Sequence, residues 1–160
     1  MSAKIIVLLA CVSACVAHLC MLSPPQRSPL TGINKPGSRS CFMLGAPCGK
    51  QAPNINKLYL SAGENFTVVF QKNLNHFYAA NPGYFSVSIG SESDEKNNRT
   101  LTELYRTADT SDPSLTIMTA NIMVPRPVVE QPFVIQTQYV SNNPTEPPAF
   151  YQCADVVIML

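Results

Sequence analysis

Five stretches of this chain alternate with a period of two residues, and each is bounded by proline, glycine or asparagine. In "NFTVVFQ" Phe66, Val68 and Phe70 share one face, and in "YFSVSIG" Phe85, Val87 and Ile89 face away from Tyr84, Ser86 and Ser88. "SLTIMTANIMV" is rich in β-branched residues, "FVIQTQYV" aligns Phe133, Ile135, Thr137 and Tyr139, and "AFYQCADVVIM" forms a last run. Side chains two apart share a face only in a strand, so these runs predict an all-β antiparallel sandwich. The 14 prolines agree, because proline punctuates loops and strand edges rather than helices. One short helix is expected over residues 100–106: Thr100 and Glu103 have capping-box spacing, and Leu101, Leu104 and Tyr105 share a helical face. Residues 21–56 show little periodicity and read as a long loop.

Residues 1–17 read as a secretory signal. Lys4 supplies the positive end, Ile5 to Cys11 the apolar segment, and Cys15 and Ala17 the small-x-small pattern that directs cleavage before His18. The apolar run is shorter than the roughly 18–20 residues a membrane span needs. The apolar end "CADVVIML" lacks the spacer and tail of a lipid-anchor signal. The expected product is a secreted, extracellular domain of residues 18–160 without a membrane anchor. Losing Lys4 from the 11 basic residues leaves them equal in number to the 10 acidic ones, so nothing marks a nucleic-acid or anionic-membrane surface. Cys20, Cys41, Cys48 and Cys153 form an even set in an oxidising compartment and imply two disulfides, with three pairings open. Asn65-Phe-Thr and Asn98-Arg-Thr are glycosylation sequons, and Asn98 lies in the more polar run.

Chemistry in the mature chain narrows to two histidines. Cleavage before His18 makes it the first residue, so its α-amine and its ring can grip one metal ion. The ring of His76, in the segment "QKNLNHFYAANPGYF", adds a third nitrogen. Three nitrogens in a T-shape suit Cu(II), and an α-amine with a pKa near 8 is readily deprotonated at extracellular pH. Other chemistries lack parts. There is no Cys-x-x-Cys, no G-x-S-x-G elbow and no glycine-rich phosphate loop, and no spacing marks a catalytic carboxylate pair.

The segments "HLCMLSPPQR", "APCG", "NHFYAANPGYFSVSI" and "YQCADVVI", in this order after a signal, resemble a secreted copper-binding family related to lytic polysaccharide monooxygenases, in particular the fungal copper acquisition factors. The resemblance spans nearly the whole mature chain. It implies an immunoglobulin- or fibronectin-like β-sandwich carrying one copper ion in a histidine brace. Carried over by residue, His18 gives two nitrogens, His76 the third, and Asp155 of "CAD" an additional carboxylate ligand. In the polysaccharide-cleaving relatives an aromatic residue stands at the copper instead, and Tyr151 matches that role. The two lie on one strand face roughly 13 Å apart, so only one reaches the metal. The resemblance also pairs Cys48 with Cys153 and leaves Cys20–Cys41, holding the N-terminal loop. Lys50, in "PCGK", stands where the fungal proteins tend to have a second glycine.

The implied function is extracellular copper capture or transfer rather than catalysis, with a membrane copper transporter as partner. The alternative is a copper-dependent oxidative enzyme acting on polysaccharides. Two features favour capture. The chain has no tryptophan for a flat glycan platform, with Tyr59, Tyr78 and Tyr84 the remaining aromatics for such a surface. An anionic ligand such as Asp155 would also hold copper in its oxidised state.

Overall fold

The computed structural model describes residues 18–97 and 100–160. The expected leader (residues 1–17) and the sequon residue Asn98 lie outside the described residues. The strands are β1 (His18–Ser23), β2 (Leu58–Ser61), β3 (Asn65–Leu74), β4 (Tyr84–Ser91), β5 (Thr102–Ala108), β6 (Thr116–Met123), β7 (Gln131–Val140) and β8 (Ala149–Met159). They form one sheet in the order β1-β3-β6 and another in the order β2-β8-β7-β4-β5. The two sheets make an immunoglobulin-like sandwich.

The core follows the alternation. Val68 and Phe70 of β3, Phe85, Val87 and Ile89 of β4, and Phe150, Ala154, Val156 and Ile158 of β8 are all buried in one cluster. Phe85 bridges the layers, stacking on Tyr139 at 4.3 Å and meeting Phe70 at 5.8 Å. At about 25 cal/mol per Å² of apolar surface, sequestering such residues is the main drive for the fold. Most pairings are antiparallel, but β2 runs parallel to β8 at the sheet edge, aligning Leu58 with Val156 and Leu60 with Ile158. Among the described residues no helix is long and apolar enough to cross a membrane.

The helix expected over residues 100–106 is not formed; Thr102–Ala108 is the edge strand β5. Its ladder with β4, from Tyr84↔Ala108 to Ile89↔Thr102, overrides the local capping pattern. The helix instead lies one segment earlier, as α1 (Glu92–Lys96). There Ser91 caps the Asp94 N–H while the Asp94 side chain returns to the Ser91 N–H.

The N-terminal loop begins later than residue 21, because β1 continues to Ser23. One 3₁₀ turn, Arg39–Cys41, interrupts it. Disulfides Cys20–Cys41 and Cys48–Cys153 tie this segment to β1 and β8, and each stabilises by about 2–4 kcal/mol. Lys50 sits at φ +59°, a left-handed conformation in which glycine avoids the Cβ penalty. The backbone therefore keeps a glycine-type turn without the glycine. Asn65, the second sequon residue, is exposed at the start of β3.

Candidate metal centre

The register of the smaller sheet brings the histidines to one corner. β1 pairs antiparallel with β3 so that His18 lies opposite Leu74, and His76 follows two residues beyond that position. Both side chains border one aromatic floor. The ring of His18 lies 5.2 Å from Phe42, Phe42 lies 6.0 Å from Phe150, and His76 stacks on Phe150 at 6.4 Å. Both histidines are buried. Gly37, at φ +81°, passes over the His18 ring, where an added Cβ would stand 3.9 Å from Cε1.

Two supports hold His76. Its N–H donates to Tyr139 Oη at 3.2 Å, and the Tyr139 hydroxyl donates to Asp109 Oδ2 at 2.7 Å. Lys72 Nζ donates to Asp109 Oδ1 at 2.6 Å, with Lys72 and Asp109 almost wholly buried. Burial, then the hydrogen bond to Asp109, raises the Tyr139 phenol and keeps it protonated. On the other side, Nδ1 of His76 lies 3.4 Å from Glu146 Oε1. Burial raises the Glu146 carboxyl above its ordinary range. A carboxylate beside Nδ1 favours the tautomer with its proton there, which leaves the lone pair on Nε2. The nitrogens that an N-terminal brace would use, Nδ1 of His18 and Nε2 of His76, are both sealed from solvent.

Asp155 is not brought to this corner. Its parity on β8 is that of Tyr151 and Cys153, whereas Phe150, Ala154, Val156 and Ile158 form the core face. It lies five positions beyond Phe150, roughly 16 Å along a strand. Its carboxylate is held by Arg27, with Nη2 at 2.7 Å from Oδ1 and Nε at 3.0 Å from Oδ2, and by the Asn54 N–H at 2.7 Å. Arg27 also donates to Gln51 O at 3.0 Å and to Glu95 Oε1 at 3.2 Å. The expected ligand set therefore loses Asp155, which instead locks the N-terminal loop to β8. Tyr151 shares its strand face and receives an amide contact from Gln138 at 3.4 Å. Among the described residues no three His, Cys, Asp or Glu side chains converge as a metal-ligand group; a brace of amine and two imidazoles requires only two.

Sequence reasoning missed Phe150, Phe42, Tyr139 and Glu146 as site residues. The signal for Phe150 was available: it opens the core-facing parity of the last run, opposite to that of Asp155. Of the candidate platform tyrosines, Tyr59 and Tyr78 are exposed, and Tyr84 lies under Arg106 at 3.8 Å.

No protein-family model matches the sequence, and a search of curated proteins gives no significant match. The fold does match solved structures. An AA15 lytic polysaccharide monooxygenase from Thermobia domestica, solved in its Cu(I) state, aligns with TM-score 0.54 at 15% identity over 88% of this chain and 98% of that one. A lytic polysaccharide monooxygenase important for chitin utilisation in Cellvibrio japonicus aligns with TM-score 0.53 at 15% identity over 87% and 98%. A CBM33 polysaccharide monooxygenase aligns with TM-score 0.54 at 13% identity over 89% and 100%. At these identities the likeness is one of fold.

Proposed function

We propose that this chain is a secreted copper protein: removal of residues 1–17 frees the amine of His18, which with its own Nδ1 and Nε2 of His76 holds one copper ion. The observation that carries the reading is the β1–β3 register, which sets His18 beside the segment bearing His76, with Glu146 fixing the proton on the far side of the His76 ring. The donor set fits copper. Imidazoles alone suit several metals, but an added amine makes a three-nitrogen set that favours Cu(II), and the four mature cysteines are sequestered as disulfides. Bound copper would supply a redox-active cation; the chain's own residues orient the nitrogens and shield them with Phe42, Phe150 and the Gly37 turn.

The physiological role we assign is extracellular copper capture and transfer, with a membrane copper transporter as acceptor. The fold and the nitrogen set support a copper role, and the absence of tryptophan weighs against a broad glycan platform. A second reading, oxidative cleavage of polysaccharides, is favoured by one observation. An aromatic ring, Phe150, lies against His76 where a carboxylate had been expected. Without that anion, the last strand supplies no charge that would favour oxidised over reduced copper.

Three experiments test the copper site, and the second of them separates the two readings. N-terminal sequencing of secreted protein is expected to begin at His18, with a titration endpoint of one copper per chain; another start removes the brace. Incubating the copper-loaded protein with ascorbate and chitin or cellulose is expected to release no oxidised oligosaccharides. Their appearance promotes the oxidative reading. Glu146→Ala is expected to weaken copper affinity about 10–100-fold in a competition titration. Glu146→Gln, which retains an acceptor, is expected to lose less. Equal affinity in all three proteins would show that Glu146 does not orient His76.

A further inference from the structure

The outer face of the larger sheet carries a cleft of about 520 Å³, floored by Gln136, Gln138 and Ser88 and walled by Pro47, Leu101 and Glu103. The register builds it in rows. Gln136 lies between Cys153 and Ser88, Ser88 pairs with Glu103, and Gln138 lies between Tyr151 and Ser86. Its volume is in the range of small-ligand sites, about 300–1,000 Å³. None of its lining residues is a cation.

The cleft is held in shape before any ligand arrives. On one side Cys48–Cys153 pins the Pro47 segment to β8, and Gln136 Nε2 donates to Pro47 O at 2.7 Å. On the other side Leu101 packs on Gly90, where any Cβ would collide with its side chain. Gln138 is steadied by its amide contact to Tyr151 at 3.4 Å. Arg106 grips Glu103 through Nε at 2.9 Å and Nη2 at 2.6 Å, holding that carboxyl below its ordinary range, while its guanidinium lies 3.8 Å over the Tyr84 ring. Fixed groups lose little freedom on binding, so their hydrogen bonds are retained as affinity.

The chemistry of the lining selects the ligand. Amides, a hydroxyl and an already paired carboxylate offer donors and acceptors without unmet positive charge, which disfavours anions. Apolar surface from Ala46, Pro47 and Leu101 lies beside these polar groups, so the guest must present C–H faces as well as hydroxyls. Gln136 spends one amide N–H on Pro47 O, so its remaining amide groups and the Ser88 hydroxyl are what a hydroxyl-rich guest would engage. We propose that this cleft binds a neutral, hydroxyl-rich ligand, a short uncharged oligosaccharide. The assignment does not rest on copper, since no lining residue belongs to the His18–His76 corner.

The test is a side-chain amide NMR titration of the isotope-labelled, copper-free secreted protein with chitotriose, cellotriose, mannotriose and xylotriose. Glycerol and a sulfated heparin disaccharide serve as controls. At least one neutral trisaccharide is expected to shift the Gln136 and Gln138 amides saturably. Gln138→Ala and Gln138→Lys, each verified as folded, are expected to weaken that binding at least tenfold. His76→Ala is expected to leave it unchanged, which separates this cleft from the metal reading. The proposal is overturned if no trisaccharide moves these amides, if both Gln138 variants bind as the parent does, if His76→Ala weakens binding to the same degree, or if glycerol or the heparin fragment binds there as tightly.

Discussion

Replacing His76 with alanine is expected to abolish the gain in thermal stability that copper confers on the secreted protein. A ligand bound only by the folded state stabilises by RT ln(1 + [L]/Kd), about 2.7 kcal/mol at a hundredfold excess over Kd. For a domain of this size that is a rise of about 5–10 °C in Tm. His76 is buried and stacks on Phe150, so the variant also leaves a void and its copper-free form melts lower. The diagnostic quantity is therefore the difference between copper-loaded and copper-free Tm within each protein, measured by scanning calorimetry. An undiminished copper shift in His76→Ala would exclude His76 as a ligand.

Arg27→Met is expected to cost about 3–5 kcal/mol in denaturant unfolding, because it strands the Asp155 carboxylate in the interior. The partners' side chains are 1% and 0% exposed, so water cannot take over the lost interaction. The double variant Arg27→Met, Asp155→Leu removes both charges and is expected to recover much of the loss, as replaced buried ion pairs often do. Asp155→Asn is expected to destabilise the fold while leaving the electron paramagnetic spectrum of bound copper unaltered, and Tyr151→Phe to leave that spectrum alone as well. A changed copper spectrum in Asp155→Asn would return Asp155 to the ligand set.

The sandwich was legible because its strands alternate: Phe85, Val87 and Ile89 declare a buried face without further context. β1 was less visible, since Leu19, Cys20 and Met21 are all buried and a strand covered on both faces has no period of two. β5 was misread because Leu101, Leu104 and Tyr105 satisfy helical spacing, whereas its true partner, β4, supplies a ladder that local propensity cannot anticipate. At the histidine corner, the two histidines were marked by chemistry and by resemblance to a copper family. The error over Asp155 came from reading a tripeptide without its parity. Strand alternation alone puts Asp155 and Phe150 on opposite faces, but which face met His76 depended on how the sheets pack. Glu146 lies in a proline-flanked turn, where sequence carries no periodic signal at all.

The position of β8 in the larger sheet has a consequence for biosynthesis. Strand β8 is interior, inserted between β2 and β7, so that sheet cannot be completed until β8 has left the ribosome. β2, about a hundred residues upstream, has no neighbour but β8, and Cys48 waits equally long for Cys153. Cys20 and Cys41, only 21 residues apart, can be joined well before Cys153 is made. The aromatic floor of the histidine corner also awaits Phe150 at the start of this strand. The nascent chain therefore displays both histidines before the surface that seats them exists. The histidine corner is therefore assembled only once β8 has been made.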